Sequence, residues 1–477
     1  MRDEQDAPKD SRHTLARTPM PNDVTTERTL FLEAASRAAA YLEGIRTRAV
    51  APGDEAVGRL DELGGSLPPE GLDPAAVLNL LDEIGSPATV ANAGGRYFGF
   101  VNGGALPIAR AANVLAVAWD QNAALRIMSP TAAALEDIAL RWLLEMLALP
   151  ASSGGAFVTG ATMASFCCLA AARHALLERA GWDVEAEGLC GAPPLTIVVG
   201  EEIHVSVLKA LTLLGLGRNR VQTVETDNQG RMRADRMPRF NLSTIVCAQA
   251  GNVNTGAFDP FLDICAAARE SGAWVHIDGA FGLWAAASGD HTDVVGGMSD
   301  AHSWATDAHK WLNVPYDCGL AFVRDAEALR RSMAIQAPYL VPDVAREPMQ
   351  WTPEASRRAR GVEVWAALKS LGRQGVANMI RRSCQQARRF AAGFRKAGYT
   401  VLNDVVLNQV LVSFKTDAHT RAVVERVQRD GACWCGRTIW RGHTAMRVSV
   451  SSWATSDDDV ERSLTAILKV AHEVPAC

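Results

Sequence analysis

The residue types with the most chemical reach lie in three short runs. In ATDAHKWLNVPYDCG, Lys310 stands between His309 and Trp311. An amine beside an aromatic ring in a site of low polarity has a depressed pKa and can attack a carbonyl, although a lone lysine is far more often a solvated charge. In WVHIDGAFG, Asp278 closes an apolar stretch. A carboxylate so poorly solvated is costly without a cationic partner, and an isolated Asp there is as often a cap on the next turn. In GAFVTGATMAS a glycine turn leads into a helical pattern. The amides of Ala161, Thr162 and Met163, with the Thr162 hydroxyl, then face outward where a phosphate can sit. The turn is neither GxxxxGK[ST] nor a complete GxGxxG, which disfavours a nucleoside triphosphate or a dinucleotide.

An amine, a strand-end carboxylate and a phosphate cradle are together what pyridoxal phosphate needs. Lys310 would condense with its aldehyde, the amides would hold its phosphate, and Asp278 would keep its ring nitrogen protonated. A fourth need, a ring stacked on the cofactor face, is met by His204 in EEIHVSVLKA, directly after the apolar run LTIVVG.

These residues must be placed by an α/β domain. Between about 150 and 325, short apolar runs (GAFVTG, LTIVVG, VQTVET, STIVCAQ, WVHIDG, LAFVR) alternate with helical patterns, the mark of a largely parallel sheet. Ligands in such sheets lie beyond the carboxyl ends of the strands, where all four features fall. Helices are expected over 28–47, from Asp73 and Pro74, over 109–118 and 131–149, from Glu354 into the Gly372–Gly375 region, and over 383–397. The expected organisation is a mobile arm over 1–27, a helical segment over 28–102, a large cofactor-binding domain over 103–365 and a small α+β domain over 366–477.

The 477 residues are 48% hydrophobic and 21% charged, a folded composition with material for a large core. A net charge of −5 without a basic block gives nucleic acid or an anionic membrane no purchase. Ten irregularly spaced cysteines, Cys433 and Cys435 among them, read as reduced core thiols rather than a disulfide framework or a zinc site. With neither a secretory leader nor an apolar span of about 20 residues, a cytoplasmic location is expected.

The runs HVSVLKALTLLG, AGNVNTGAFDP, HIDGAFG and DAHKWLNVPYDCG, in this order, resemble the group II pyridoxal phosphate decarboxylases, which include the aromatic amino acid and glutamate decarboxylases. The resemblance runs from about Arg96 to the final helical pattern. It implies a type I aminotransferase-like fold, a homodimer with shared active sites, and decarboxylation of an L-amino acid to the amine and carbon dioxide. Carried over by position, Lys310 binds the cofactor aldehyde, Asp278 pairs with the ring nitrogen and His204 stacks on the ring. Ala280 touches the cofactor from the other side, and Thr162, Met163 and His309 lie around the phosphate. Tyr339 in APYLV resembles the loop tyrosine that returns a proton to the substrate carbon, in place of the phenylalanine often found in aldehyde-forming relatives. Arg447 in MRVSVS matches a C-terminal family arginine.

Some positions depart from the better-known animal members. Asp307 replaces an Asn near the phosphate, where a carboxylate repels the dianion unless amides or a cation hold it. Asn252 and Val253 replace threonines. Around the expected substrate pocket stand Asn122, Ala124 and Arg126 rather than aromatic rings, which weakens an aromatic substrate, and Arg126 admits an acidic or polar one; Tyr97 and Phe98 suit an apolar wall or core packing equally. Rival readings are an aldehyde synthase or other lyase on the same fold, a catalytically dead regulator and, more remotely, a nicotinamide oxidoreductase. The last leaves Asp278, His204 and the HKW run unexplained.

Overall fold

The computed structural model describes residues 24–335 and 345–475, which fall into two compact units. One holds the chain to residue 48 with 52–90, and the other holds 49–51 with 91 onward. In the first, helix Val24–Gly44 precedes helix Pro74–Leu80. Asp73 caps the latter, its carboxylate accepting the amides of Ala75 and Ala76, as Ser, Asp and Asn do at exposed helix starts. Within this unit Arg37 pairs with Glu33 at 2.6 Å and Asp82 at 3.0 Å.

The second unit is built on two sheets. The larger contains β2 (Gly154–Val158), β3 (Thr196–Gly200), β4 (Gln222–Val224), β5 (Thr244–Gln249), β6 (Trp274–Asp278), β7 (Ser303–Asp307) and β8 (Gly319–Val323) in the order β2-β8-β7-β6-β5-β3-β4. From β4 to β7 every pairing is parallel, whereas β8 runs antiparallel to both of its neighbours. The apolar runs are continuous because both faces are covered. Helices Ala161–Arg179 and Val205–Leu213 pack on one face, through residues such as Ala164, Cys168 and Val207. Helices Pro130–Met146 and Phe261–Ser271, with the start of Gly361–Lys396, pack on the other through Leu143, Ile264 and Val364.

The smaller sheet has the order β1-β11-β12-β10-β9. It joins β1 (Tyr97–Phe98) to β9 (Thr400–Val401), β10 (Gln409–Ser413), β11 (Trp434–Trp440) and β12 (His443–Ser449). β1 lies parallel to β11, with Tyr97 opposite Trp434 and Phe98 opposite Cys435. Two strand ends some 340 positions apart in sequence thus share one sheet edge.

Strands β1, β9 and β11 and a first helix beginning at Val24 rather than 28 were not expected, and two further differences bear on the site. Strand β7 was not anticipated, because SWATD mixes polar and apolar residues while all five are buried. Its polar groups are satisfied inside: Ser303 Oγ accepts Trp274 Nε1 at 2.9 Å and lies 3.1 Å from His276 Nδ1. The helix expected from Glu354 starts at Gly361 and runs unbroken in name to Lys396, turning sharply at Gly372 (φ 59°, ψ −179°), a conformation that favours glycine. Residues before Gly361 are diverted by the buried Arg357, which donates to the carbonyls of Ala123 (2.9 Å) and Phe157 (3.0 Å) and pairs with Glu136 at 2.9 Å.

Candidate active site

β7 ends at Asp307, and the turn that follows carries His309 and Lys310. Lys310 Nζ lies 3.0 Å from Asp307 Oδ2 with a fifth of its side chain exposed, and His309 Nε2 lies 3.5 Å from Asp307 Oδ1. The neighbouring Trp311 ring is fully buried in the core. Asp307 also accepts the Ala161 amide on Oδ1 at 2.6 Å. The carboxylate that looked repulsive from sequence is therefore held by one amide and one ammonium, the two partners that lower its cost. His309 is fixed from behind, its Nδ1 accepting the Cys318 amide at 3.1 Å while its ring packs 4.4 Å from that of Tyr316. Burial pushes the His309 imidazole below its ordinary range, opposed by Asp307.

The lysine turn is anchored by Asn313, buried and left-handed (φ 57°), a conformation Asn tolerates better than most residues. Its Oδ1 accepts the amides of Gly104 (2.8 Å) and Trp453 (2.9 Å). Its Nδ2 donates to the carbonyls of Trp311 (2.8 Å) and Ser451 (3.1 Å). Two distant stretches of chain are thereby tied behind Lys310. Segment 102–104 comes so close that a side chain on Gly103 would overlap the Lys310 carbonyl oxygen.

One strand over, Asp278 ends β6 as a buried carboxylate whose Oδ1 accepts the Ala280 amide at 3.1 Å. Burial raises its pKa, and the nearby His204 and Lys310 oppose that rise. His204 caps helix Val205–Leu213: its Nδ1 accepts the Ser206 amide at 3.2 Å and sits 2.7 Å from Ser206 Oγ. A backbone amide can only donate, so Nδ1 carries no proton and the neutral ring keeps its hydrogen on Nε2. Burial lowers the His204 pKa and Asp278 opposes this, while Lys310 and Arg447 lower it further. Asp278, His204, Lys310, Asp307 and Arg447 therefore form one electrostatically linked cluster at the carboxyl edge of the sheet.

Helix Ala161–Arg179 starts at the same edge. Among the described residues, the amides of Thr162 and Met163 have no protein acceptor. A side chain on Gly160 would sit 3.4 Å from Asp307 Oδ1 and 3.5 Å from His309 Cε1. Gly319 must lack a side chain, since one would strike the Gly160 backbone.

The expected substrate residues divide. Tyr97 stacks on Trp434 (centroids 5.1 Å, 18°) and lies close enough to Arg447 for the two to influence each other's charge. Burial pushes the Tyr97 phenol up to about 12. Arg447 donates to Val253 O at 3.3 Å and Asn254 Oδ1 at 3.4 Å. Phe98 faces away from these groups, fully buried against Phe390 in the core of the smaller sheet. Asn122 accepts the Arg357 amide at 3.1 Å. Arg126 pairs with Asp137 at 2.6 Å. Tyr339 lies outside the described residues. Sequence reasoning missed Gln249, Asn313, Gly103 and Tyr316. For Gln249 the signal was the one used for Asp278, a polar residue closing an apolar run.

Fold and site together define a pyridoxal phosphate enzyme of the type I fold. The chain belongs to the pyridoxal-dependent decarboxylases, whose conserved domain matches residues 94–417. It is 25% identical over 391 residues to a tyrosine decarboxylase of Papaver somniferum, a match covering 72% of this chain and 74% of that protein. It is 29% identical over 286 residues to a phenylacetaldehyde synthase of a Rosa hybrid cultivar, a match spanning about half of each (55% and 55%). In fold it is similar to Oryza sativa TDC, crystallised with PLP and tryptamine, with a TM-score of 0.88 over 95% of this chain and 99% of that one at 23% identity. The residues fit the family's cofactor on three observations. Helix amides at 162 and 163 are open to a phosphate, Gly160 leaves room beside His309, and the buried Asp278 carboxyl is matched to a cationic ring nitrogen.

Proposed function

We propose that this chain removes the carboxylate of an L-amino acid, releasing the amine and carbon dioxide. The observation that carries the reading is the placement of Lys310, paired to Asp307 at 3.0 Å, beside a buried Asp278 and an Nε2-protonated His204. When bound, pyridoxal phosphate supplies the electron sink for breaking the bond to the carboxylate. The amides of Thr162 and Met163, with His309, would hold its phosphate, Asp278 its ring nitrogen, and His204 and Ala280 its two faces. Asp307 Oδ2, 3.0 Å from Lys310 Nζ, orients the amine. Arg447 and Tyr97, neighbours at this edge, are proposed to orient substrate, and Tyr339 to protonate the substrate carbon.

We further read the chain as a cytoplasmic homodimer, with 103–365 as the cofactor domain and 366–477 as the small domain. All nine described cysteines are free thiols, in keeping with a reducing compartment. Helix Pro107–Trp119 exposes Ile108, Val114, Leu115, Val117 and Trp119, an apolar face suited to a second copy.

The test is carbon dioxide released across a panel of L-amino acids with pyridoxal phosphate supplied, ammonia and peroxide being followed together. Carbon dioxide with one equivalent of amine is the expected result, and ammonia with peroxide replaces decarboxylation by aldehyde synthesis. Tyr339→Phe should lower amine and raise aldehyde and ammonia; an unchanged product ratio removes Tyr339 from the proton-donor role.

A further inference from the structure

Gln249 closes β5 and is buried, 5% exposed, between the sheet edge and the turn that carries His204. Its backbone is clamped by Asp259: the Gln249 amide donates to Asp259 Oδ2 at 2.7 Å, and the Asp259 amide donates to the Gln249 carbonyl at 3.0 Å. Its side chain then spans to the turn after β3. Oε1 accepts the His204 amide at 3.1 Å, and Nε2 donates to the Glu202 carbonyl at 2.9 Å. A backbone amide only donates and a carbonyl only accepts, so the orientation of the Gln249 amide group is determined by its partners.

We propose that Gln249 is a positioning residue for His204, setting the height and tilt of the imidazole above the Lys310–Asp278 site. Two anchors define the ring: Gln249 on its main chain and Ser206 on Nδ1. The charges facing it from neighbouring elements are Asp278, Lys310, Asp307 and Arg447. No apolar side chain of this length supplies both hydrogen bonds, Asn is a methylene short, and an ionised Glu would set an oxygen against the Glu202 carbonyl. The turn keeps its other bonds, Glu201 N to Val224 O at 3.0 Å and Ile203 N to Gly200 O at 3.1 Å, so loss of Gln249 loosens the ring's seat without removing the turn.

The inference rests on the reading that His204 lies against the cofactor, and the test separates the two. In the holoenzyme, Gln249→Met should lower kcat about tenfold with little change in KM, the size expected of sub-ångström misplacement, and should weaken the induced circular dichroism of bound pyridoxal phosphate. In a His204→Ala background the same substitution should have no further effect, because non-additivity reports action through that residue. Effects that multiply in that background, or a wild-type kcat, overturn the proposal. Should Gln249→Met not fold, Gln249→Glu serves instead. Its protonated carboxyl reproduces the donor and acceptor pair, so kcat relative to wild type should recover as pH falls, and a flat ratio overturns the proposal. Independently of any cofactor, amide exchange over 202–206 should quicken about tenfold in the variants, whereas unchanged exchange overturns the hold on the turn. A wild-type protein that shows no visible absorption with pyridoxal phosphate defeats the site reading alone, and the exchange measurement still decides Gln249.

Discussion

At the scale of single residues, the site depends on a few polar groups placed where burial makes them costly and partners make them useful. Lys310→Ala removes both the amine and the partner of Asp307, so visible cofactor absorption should disappear and turnover fall about a thousandfold or more; retained turnover would show that another group performs its task. Asp278 and His204 were legible as candidates because one closes and the other follows an apolar run, whereas Lys310 follows the mixed run of β7 and stood out only by its place between His309 and Trp311. The state of Asp307 was not legible. Whether a carboxylate near a phosphate cradle repels or is held depends on which amide and which ammonium point at it. Those contacts, from Ala161 and Lys310, exist only once the strand β7 and helix Ala161–Arg179 meet. Arg126 was a candidate substrate cation from its sequence position, and its ion pair with Asp137 at 2.6 Å was not legible there.

At the scale of elements, the lysine turn is held from behind by segments that carry no chemistry. Gly103→Ala must push segment 102–104 off the Lys310 carbonyl or distort the turn, so it should destabilise the protein by about 2 kcal/mol and lower kcat. A urea unfolding curve beside a rate measurement checks both, and unchanged values would show that the segment yields freely. Asn313→Ala would strip the amides of Gly104 and Trp453 and the carbonyls of Trp311 and Ser451 of their partner, leaving buried groups unpaired at about 1 kcal/mol or more each. It should cost more than the glycine change by the same assay. Six of the seven strands in the larger sheet were readable as apolar runs. β7 was not, because Ser303 and Thr306 find partners in the core, and a buried strand with satisfied polar groups loses the pattern that betrays strands. The helix start at Gly361 was hidden for a related reason: Arg357 looks like a surface residue in sequence and is a buried tie in the fold.

At the scale of the whole molecule, stability should depend on pH through buried histidines of the larger sheet and its edge, one of them two residues before Asp278 on β6. Burial holds His276 near 3 and His302 near 4 in the folded protein, while an unfolded histidine titrates near 6.5. The folded chain then binds fewer protons than the unfolded one between those values, so their contribution is complete above about pH 6.5 and is lost on acidification. Asp259, raised to about 6 by burial, works the other way, its folded form favouring the proton between about 4 and 6. Two histidines outweigh one carboxyl, and the urea midpoint should fall from pH 6.5 to 4.5. His276→Gln should flatten that fall, and an unaltered slope would assign the acid sensitivity elsewhere. The pairing of Tyr97 and Phe98 with Trp434 and Cys435 also sets an order of events. A chain emerging from the ribosome can build the Lys310 sheet long before its end is made, but β1 waits without a partner until β11 arrives. Tyr97 is seated against Arg447 only after that closure, and the ties from Asn313 to Ser451 and Trp453 wait for the same stretch of chain, so the Tyr97 stack and the backing of the lysine turn are fixed in one late step.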